Sequence, residues 1–184
     1  TLYFTATGDG DASLDKAVTA KTAGFANCDT SADDTALIAF TSGTTGTPKA
    51  TMHFHRDVIA MCDCFPRSFN MAEPHDIFTG TPPLAFTFGL GGLTCFPMRF
   101  GASTRFFPAP LSPEEMMAAI EKYKITGLYT APTLYRLLAD LAGKYDISSL
   151  EKCVSAGETL PKATWEAFHK ATGIRIVEWP VNPD

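Results

Sequence analysis

Apolar residues along this chain come in short runs broken by turn-forming residues, and the spacing inside each run predicts its element. TALIAF is a continuous apolar run that predicts a strand over residues 35–41, and the Gly- and Thr-rich TSGTTGTPK follows it at once. ATMHFH alternates and predicts a return strand, and residues 57–69 carry helical apolar spacing interrupted by Pro66. Short strands are predicted at 76–79, 103–107, 127–131, 152–156 and 174–177, with a buried, glycine-containing helix over 90–100. Ser112-Pro113-Glu114-Glu115 is a helix start, with an N-cap, Pro at the first helical position and acids in the first turn; the helix should reach Tyr123. Further helices are expected over 132–142 and 161–172, the second ended by Gly173. Residues 1–34 show no sustained period apart from a short helix near 13–21, and read as an irregular lead-in.

Strand and helix therefore alternate from residue 35 to 177. The predicted class is α/β, a mainly parallel sheet flanked by helices, with ligands gathering beyond the carboxyl ends of the strands. A length of 184 residues suits one domain or a piece of a larger one, and 45% hydrophobic against 19% charged residues predicts a buried core. The net charge is −5 and the fifteen Lys and Arg residues are scattered, which argues against a nucleic-acid partner. No apolar run is long enough to span a membrane and no signal-peptide pattern opens the chain, so a cytoplasmic protein is expected. The five cysteines lack metal-ligand spacing and read as free thiols. His53 and His55 would share one strand face, but no third ligand joins them. They read as a structural pair; no metal site is predicted, and none of the four histidines is assigned catalysis.

Ser42-Gly43-Thr44-Thr45-Gly46-Thr47-Pro48-Lys49 packs two glycines, four hydroxyls and a lysine into eight residues. Glycines let successive N–H groups turn toward one anion, hydroxyls add donors, and Lys49 adds a full positive charge, so the stretch is suited to a polyphosphate. A Walker-type loop is disfavoured, because Gly43 and Gly46 are separated by two residues and Thr47-Pro48 precede the lysine. IAFTSGTTGTPKAT resembles the signature of the AMP-forming adenylating superfamily, which includes acyl-CoA synthetases, peptide-synthetase adenylation domains and luciferases; Ala50 stands where many members have Gly. The resemblance implies ATP, Mg²⁺ and coenzyme A as cofactors or co-substrates. It assigns phosphate contacts to Thr41, Ser42, Gly43, Thr44, Thr45, Gly46 and Lys49, and casts Lys49 and Thr44 as the catalytic pair that stabilises charge on departing pyrophosphate.

Two further stretches carry the resemblance. Pro82-Pro83-Leu84-Ala85-Phe86-Thr87-Phe88-Gly89-Leu90-Gly91-Gly92 is aromatic and glycine-rich; by composition alone it reads more readily as a core strand turning into a buried helix than as a pocket. It resembles the substrate-pocket motif of ligases that activate benzoate and 2-aminobenzoate, which implies a small aromatic carboxylate bordered by Thr87, Phe88 and Gly89. Val154-Ser155-Ala156-Gly157-Glu158-Thr159-Leu160-Pro161 joins a strand to a helix and resembles the family's adenine strip. Gly157, Glu158 and Thr159 would border the nucleotide, and Ala156 the acid.

The resemblance covers residues 35–177 as a partial adenylation domain. Benzoate-type members continue into Gly-x-x-x-Thr-Glu with a magnesium-binding glutamate, whereas this chain reads Glu178-Trp179-Pro180-Val181-Asn182-Pro183-Asp184. Residues 178–184 therefore read as a tail departing from the pattern. With the family's ribose aspartate, hinge and C-terminal lysine domain also missing, the expectation is a central fragment of an aromatic acid:CoA ligase that does not turn over alone. The alternatives are an adenylation domain loading a carrier-protein thiol, and a non-catalytic nucleotide-binding or interaction module.

Overall fold

The structure, a computed structural model, describes residues 19–41, 49–70 and 72–179. The chain forms two compact units, Thr1–Ser31 and Ala32–Asp184. In the first, residues 20–31 form neither helix nor strand, and the helix expected near 13–21 falls largely outside the described residues.

The second unit opens with a hairpin. β1 (Thr35–Thr41) pairs antiparallel with β2 (Lys49–Phe54), in a register that sets Thr41 opposite Lys49. β1 was expected in the parallel sheet, and instead belongs to this two-stranded unit. The reason is the length of the link: a parallel neighbour needs a crossover of roughly a dozen residues or more, whereas β2 begins only eight positions after the end of β1, at Lys49 after Thr41.

α1 (His55–Phe65) starts two residues earlier than predicted. The Asp57 carboxylate accepts the Phe54 N–H at 2.9 Å, satisfying a donor at the helix start. His55 is thereby drawn into the helix while His53 stays in β2, so the two do not share a strand face. Pro66 does not end the coil; a π-helical turn, Pro66–Asn70, absorbs its missing N–H.

The remaining strands build a parallel sheet in the order β4-β3-β5-β6-β7, from β3 (Ile77–Gly80), β4 (Ser103–Thr104), β5 (Gly127–Thr130), β6 (Lys152–Ser155) and β7 (Ile176–Glu178). The edge strand β4 is much shorter than the predicted 103–107, since only Ser103 and Thr104 find register partners on β3. β7 begins two residues late and runs one residue further than predicted. α2 (Thr87–Leu90), a π-helical segment Gly91–Cys95 and α3 (Phe96–Phe100) together form the predicted apolar helix. α4 (Pro113–Tyr123), α5 (Pro132–Leu141) and α6 (Lys162–Thr172) follow. Ser112 caps α4 reciprocally: its hydroxyl accepts the Glu115 N–H at 3.2 Å, and the Glu115 carboxylate accepts the Ser112 N–H at 2.8 Å.

Alternation along the central strands gives each face its own core. Leu128 and Cys153 face Met116, Ile120, Leu138 and Phe168, from α4, α5 and α6. Tyr129 and Val154 face Phe78, Leu93, Phe96 and Cys62 on the other side. Buried Tyr135 donates its hydroxyl to the Leu128 carbonyl at 2.8 Å, tying α5 to β5, and burial holds its phenol well above the ordinary pKa. At the amino edge of the sheet, buried Asp76 accepts from Lys152 Nζ at 2.5 Å, the Glu73 N–H at 2.7 Å and the Thr126 hydroxyl at 2.8 Å. Burial pushes the Asp76 carboxyl up, but those donors and the Lys152 charge outweigh it and hold the group below the usual carboxylate range.

Candidate active site

The strands deliver their carboxyl ends to one place. Thr81 follows β3, Ala131 follows β5, Ala156 and Gly157 follow β6, and Trp179 follows β7. With Pro82, Pro83 and Phe86–Phe88 they line a cavity of about 430 Å³, within the size range of small-molecule sites. The Thr81 and Thr130 hydroxyls lie 2.6 Å apart and hold the ends of β3 and β5 together, and the Thr81 N–H donates to the Tyr129 carbonyl at 3.1 Å. Among the described lining residues none is ionisable. The cavity suits a flat apolar body; a bound carboxylate would need its charge partner elsewhere.

Of the acid-pocket residues expected from sequence, Thr87, Phe88 and Ala156 line this cavity together with Gly157 from the adenine strip. The Phe88 ring is set by Tyr129, with centroids 5.8 Å apart and planes tilted 53°. Gly157 has φ +92°, a left-handed conformation that suits glycine, and this bends the chain away from β6 at the cavity mouth. Gly89 is not among the lining residues: a Cβ there would stand 2.2 Å from the Pro83 carbonyl oxygen, so its function in the structure is to let α2 close against Pro82-Pro83. Glu158 and Thr159 are exposed and outside the lining, and the Glu158 carboxylate accepts the Thr133 hydroxyl at 3.0 Å.

Ser42, Gly43, Thr44, Thr45 and Gly46 fall outside the described residues. Their anchors do not: the Thr41–Lys49 pairing sets the two ends of the loop side by side. Thr87 also borders a second, smaller cavity of about 210 Å³ between the hairpin and α1, where His53, Asp57, Met61 and Cys95 gather. Burial pushes the Cys62 thiol up to about 11 and the Cys153 thiol up to about 12, and raises Cys95 as well, so these sulfurs stay protonated and are poor nucleophiles. Among the described residues no group of three His, Cys, Asp or Glu side chains converges to hold a metal ion. The Glu178 carboxylate accepts the Leu160 N–H at 2.7 Å, fastening the β6–α6 connection to β7. No helix among the described residues is long and apolar enough to cross a membrane.

Sequence reasoning missed Trp179, Thr81, Ala131 and Phe86 as lining residues. For the first three a signal was present, since each directly follows a predicted or observed strand at the edge where ligands bind. Trp179 was obscured because β7 runs past residue 177, carrying it to the site instead of leaving it in a tail.

A parallel sheet flanked by helices, with an apolar cavity at the carboxyl ends of its strands, defines an α/β domain of the ligand-binding kind. The family profile described as AMP-binding enzyme matches residues 2–179, and the chain belongs to that family. It is 35% identical over 141 residues, 75% of its length, to a 4-hydroxybenzoate–CoA/benzoate–CoA ligase of Rhodopseudomonas palustris. It is 33% identical over 128 residues, 70% of its length, to a p-hydroxybenzoic acid–AMP ligase of Mycobacterium marinum. The solved structure of an anthranilate CoA ligase in complex with anthranoyl-AMP superposes on 91% of the chain with a TM-score of 0.81 and 31% identity. The chain spans 26%, 18% and 33% of the lengths of those three proteins.

Proposed function

We propose that these residues supply the phosphate-gripping loop and the acid pocket of an ATP-dependent aromatic carboxylic acid:CoA ligase. The observation that carries the reading is the cavity that gathers Thr87, Phe88, Ala156 and Gly157 from two separate segments at the carboxyl edge of the sheet. In the proposed reaction a carboxylate oxygen attacks the α-phosphorus of ATP and the bond to the bridging oxygen breaks, releasing pyrophosphate. The thiol sulfur of coenzyme A, having lost its proton, then attacks the acyl carbon and AMP departs. Lys49 and Thr44 stabilise charge on the leaving pyrophosphate, with Thr41, Ser42, Gly43, Thr45 and Gly46 cradling its oxygens. Mg²⁺ would come bound to the triphosphate and offset part of its charge, as is usual for magnesium at phosphate sites. Gly157, Glu158 and Thr159 border the adenine, and Gly89 shapes the acid pocket by letting Thr87 and Phe88 approach it. A cytoplasmic setting with five free thiols belongs to the same reading.

The test is ATP–pyrophosphate exchange by the intact enzyme with benzoate, 2-aminobenzoate and hexanoate. Exchange dependent on an aromatic acid is expected, and exchange with hexanoate alone sinks the reading. The 184-residue polypeptide by itself is expected to bind ligands without forming acyl-CoA, because the relatives are about three to four times this length. One observation favours a second thiol acceptor: the Mycobacterium marinum relative is an acid–AMP ligase and not a CoA ligase by name. Transfer of the acyl group to a carrier-protein thiol in place of coenzyme A distinguishes that reading.

A further inference from the structure

Trp179 lines the cavity, yet the proposed reaction gives it no part. Its N–H donates to the Ser155 carbonyl at 2.8 Å, which fixes its backbone beside Ala156 and Gly157 at the carboxyl edge. The indole stacks on Phe65, with centroids 4.3 Å apart and planes 30° apart, and lies nearly parallel to Phe96 at 5.6 Å and 11°. Phe65 and Phe96 are themselves only 5.9 Å apart. A sandwiched indole would hold them much further from each other, so both lie to one side of it. Phe88 meets the indole edge-on at 6.1 Å and 72°. Trp179 is at the same time one of the residues that line the cavity.

We propose that Trp179 is a specificity-determining residue: the side of its indole away from Phe65 and Phe96 is the platform on which the ring of an aryl carboxylate stacks. The inference rests on the reading of this cavity as the acid pocket. Of the other aromatic rings in the described lining, Phe86 is 66% exposed, and Phe88 is tilted against Tyr129 and set edge to face with the indole. The three phenylalanines hold the indole in place, so little side-chain freedom is lost when a ring stacks on it. An aromatic ring gains an offset-stacked pair there, whereas a saturated ring of similar size gains only burial. Trp179 thus selects aryl over alicyclic acids without touching the carboxylate.

The experiment uses this 184-residue chain carrying Trp165→Phe, which leaves Trp179 as the only tryptophan in that sequence. Trp165 sits on α6, donates to the Ile176 carbonyl at 3.1 Å and lies outside this cavity's lining. Benzoate and cyclohexanecarboxylate are titrated by calorimetry and by indole emission, with and without AMP. Benzoate should bind about two- to twelvefold more tightly, the range of one aromatic pair, and its emission change should saturate on the calorimetric curve. Trp179→Leu should remove that preference while leaving cyclohexanecarboxylate affinity nearly unchanged, and Trp179→Phe should keep part of it. Benzoate binding that leaves the emission untouched, with the preference intact in Trp179→Leu, overturns this role while the acid pocket stands. A folded chain that binds neither acid overturns both.

Discussion

The two ends of the parallel sheet are built in opposite ways. At the amino edge one carboxylate, Asp76, is buried and saturated with donors from Glu73, Thr126 and Lys152, locking β3, β5 and β6 to one another. At the carboxyl edge the strands end in Thr81, Ala131, Ala156, Gly157 and Trp179, and the described lining carries no charge. One end spends its polar groups on itself, and the other leaves apolar surface open. A site needs unfilled volume, and an open edge can be tolerated because the opposite edge holds the strands in register.

The strongest way to break this contrast is Asp76→Ala. It leaves the Lys152 ammonium largely buried and unpaired, which typically costs about 3–5 kcal/mol. Urea denaturation should show the loss, and an unchanged midpoint would mean that the amino edge is not the lock. Lys49→Ala acts on the other function. Losing one charge-assisted contact is worth about 1.5–3 kcal/mol, so pyrophosphate exchange by the intact enzyme should slow roughly ten- to hundredfold with little change in stability. Wild-type exchange in that mutant would remove Lys49 from the proposed chemistry.

The pH dependence sharpens the same comparison. Asp76 is held below its unfolded value, so its stabilisation is fully present above the ordinary carboxylate pKa of about 3.9 and is lost as pH falls through the lower folded value. Urea midpoints should be insensitive to Asp76 between pH 7 and 5, then decline below about pH 4 by more in wild type than in Asp76→Asn. Parallel declines in the two proteins would place the acid sensitivity elsewhere. Smaller effects of about 0.5–1.5 kcal/mol are expected from Thr81→Val, which unpairs Thr130 at the carboxyl edge, and from Ser112→Ala, which uncaps α4. Thr81→Val should also weaken benzoate binding, whereas Ser112→Ala should alter stability alone; calorimetry of both variants separates these outcomes.

Much of this was legible before any fold was known. Ser112-Pro113-Glu114-Glu115 predicted the start of α4 to the residue, because capping is a local hydrogen-bonding problem solved within one turn. The central strands at 127–131 and 152–156 lost only their last residue, since a short apolar run between turn residues has few alternatives. Pairing was harder. β1 was correct as a strand and misplaced in the sheet, because an apolar run of strand length fits either a hairpin or a parallel sheet. His55 left its expected strand through a single bond from Phe54 to Asp57, a choice that periodicity does not weigh.

The amino-acid sequence by itself determined most of the elements and the α/β class, which depend on residues close together along the chain. Only the tertiary structure decided which side chains share the cavity. Thr81, Phe88, Ala131, Gly157 and Trp179 are spread over almost a hundred positions and carry no mutual spacing signal. They meet because four parallel strands in a fixed order bring their carboxyl ends to one edge. That order is set by which apolar faces pack best, a property of the whole core that no local stretch encodes.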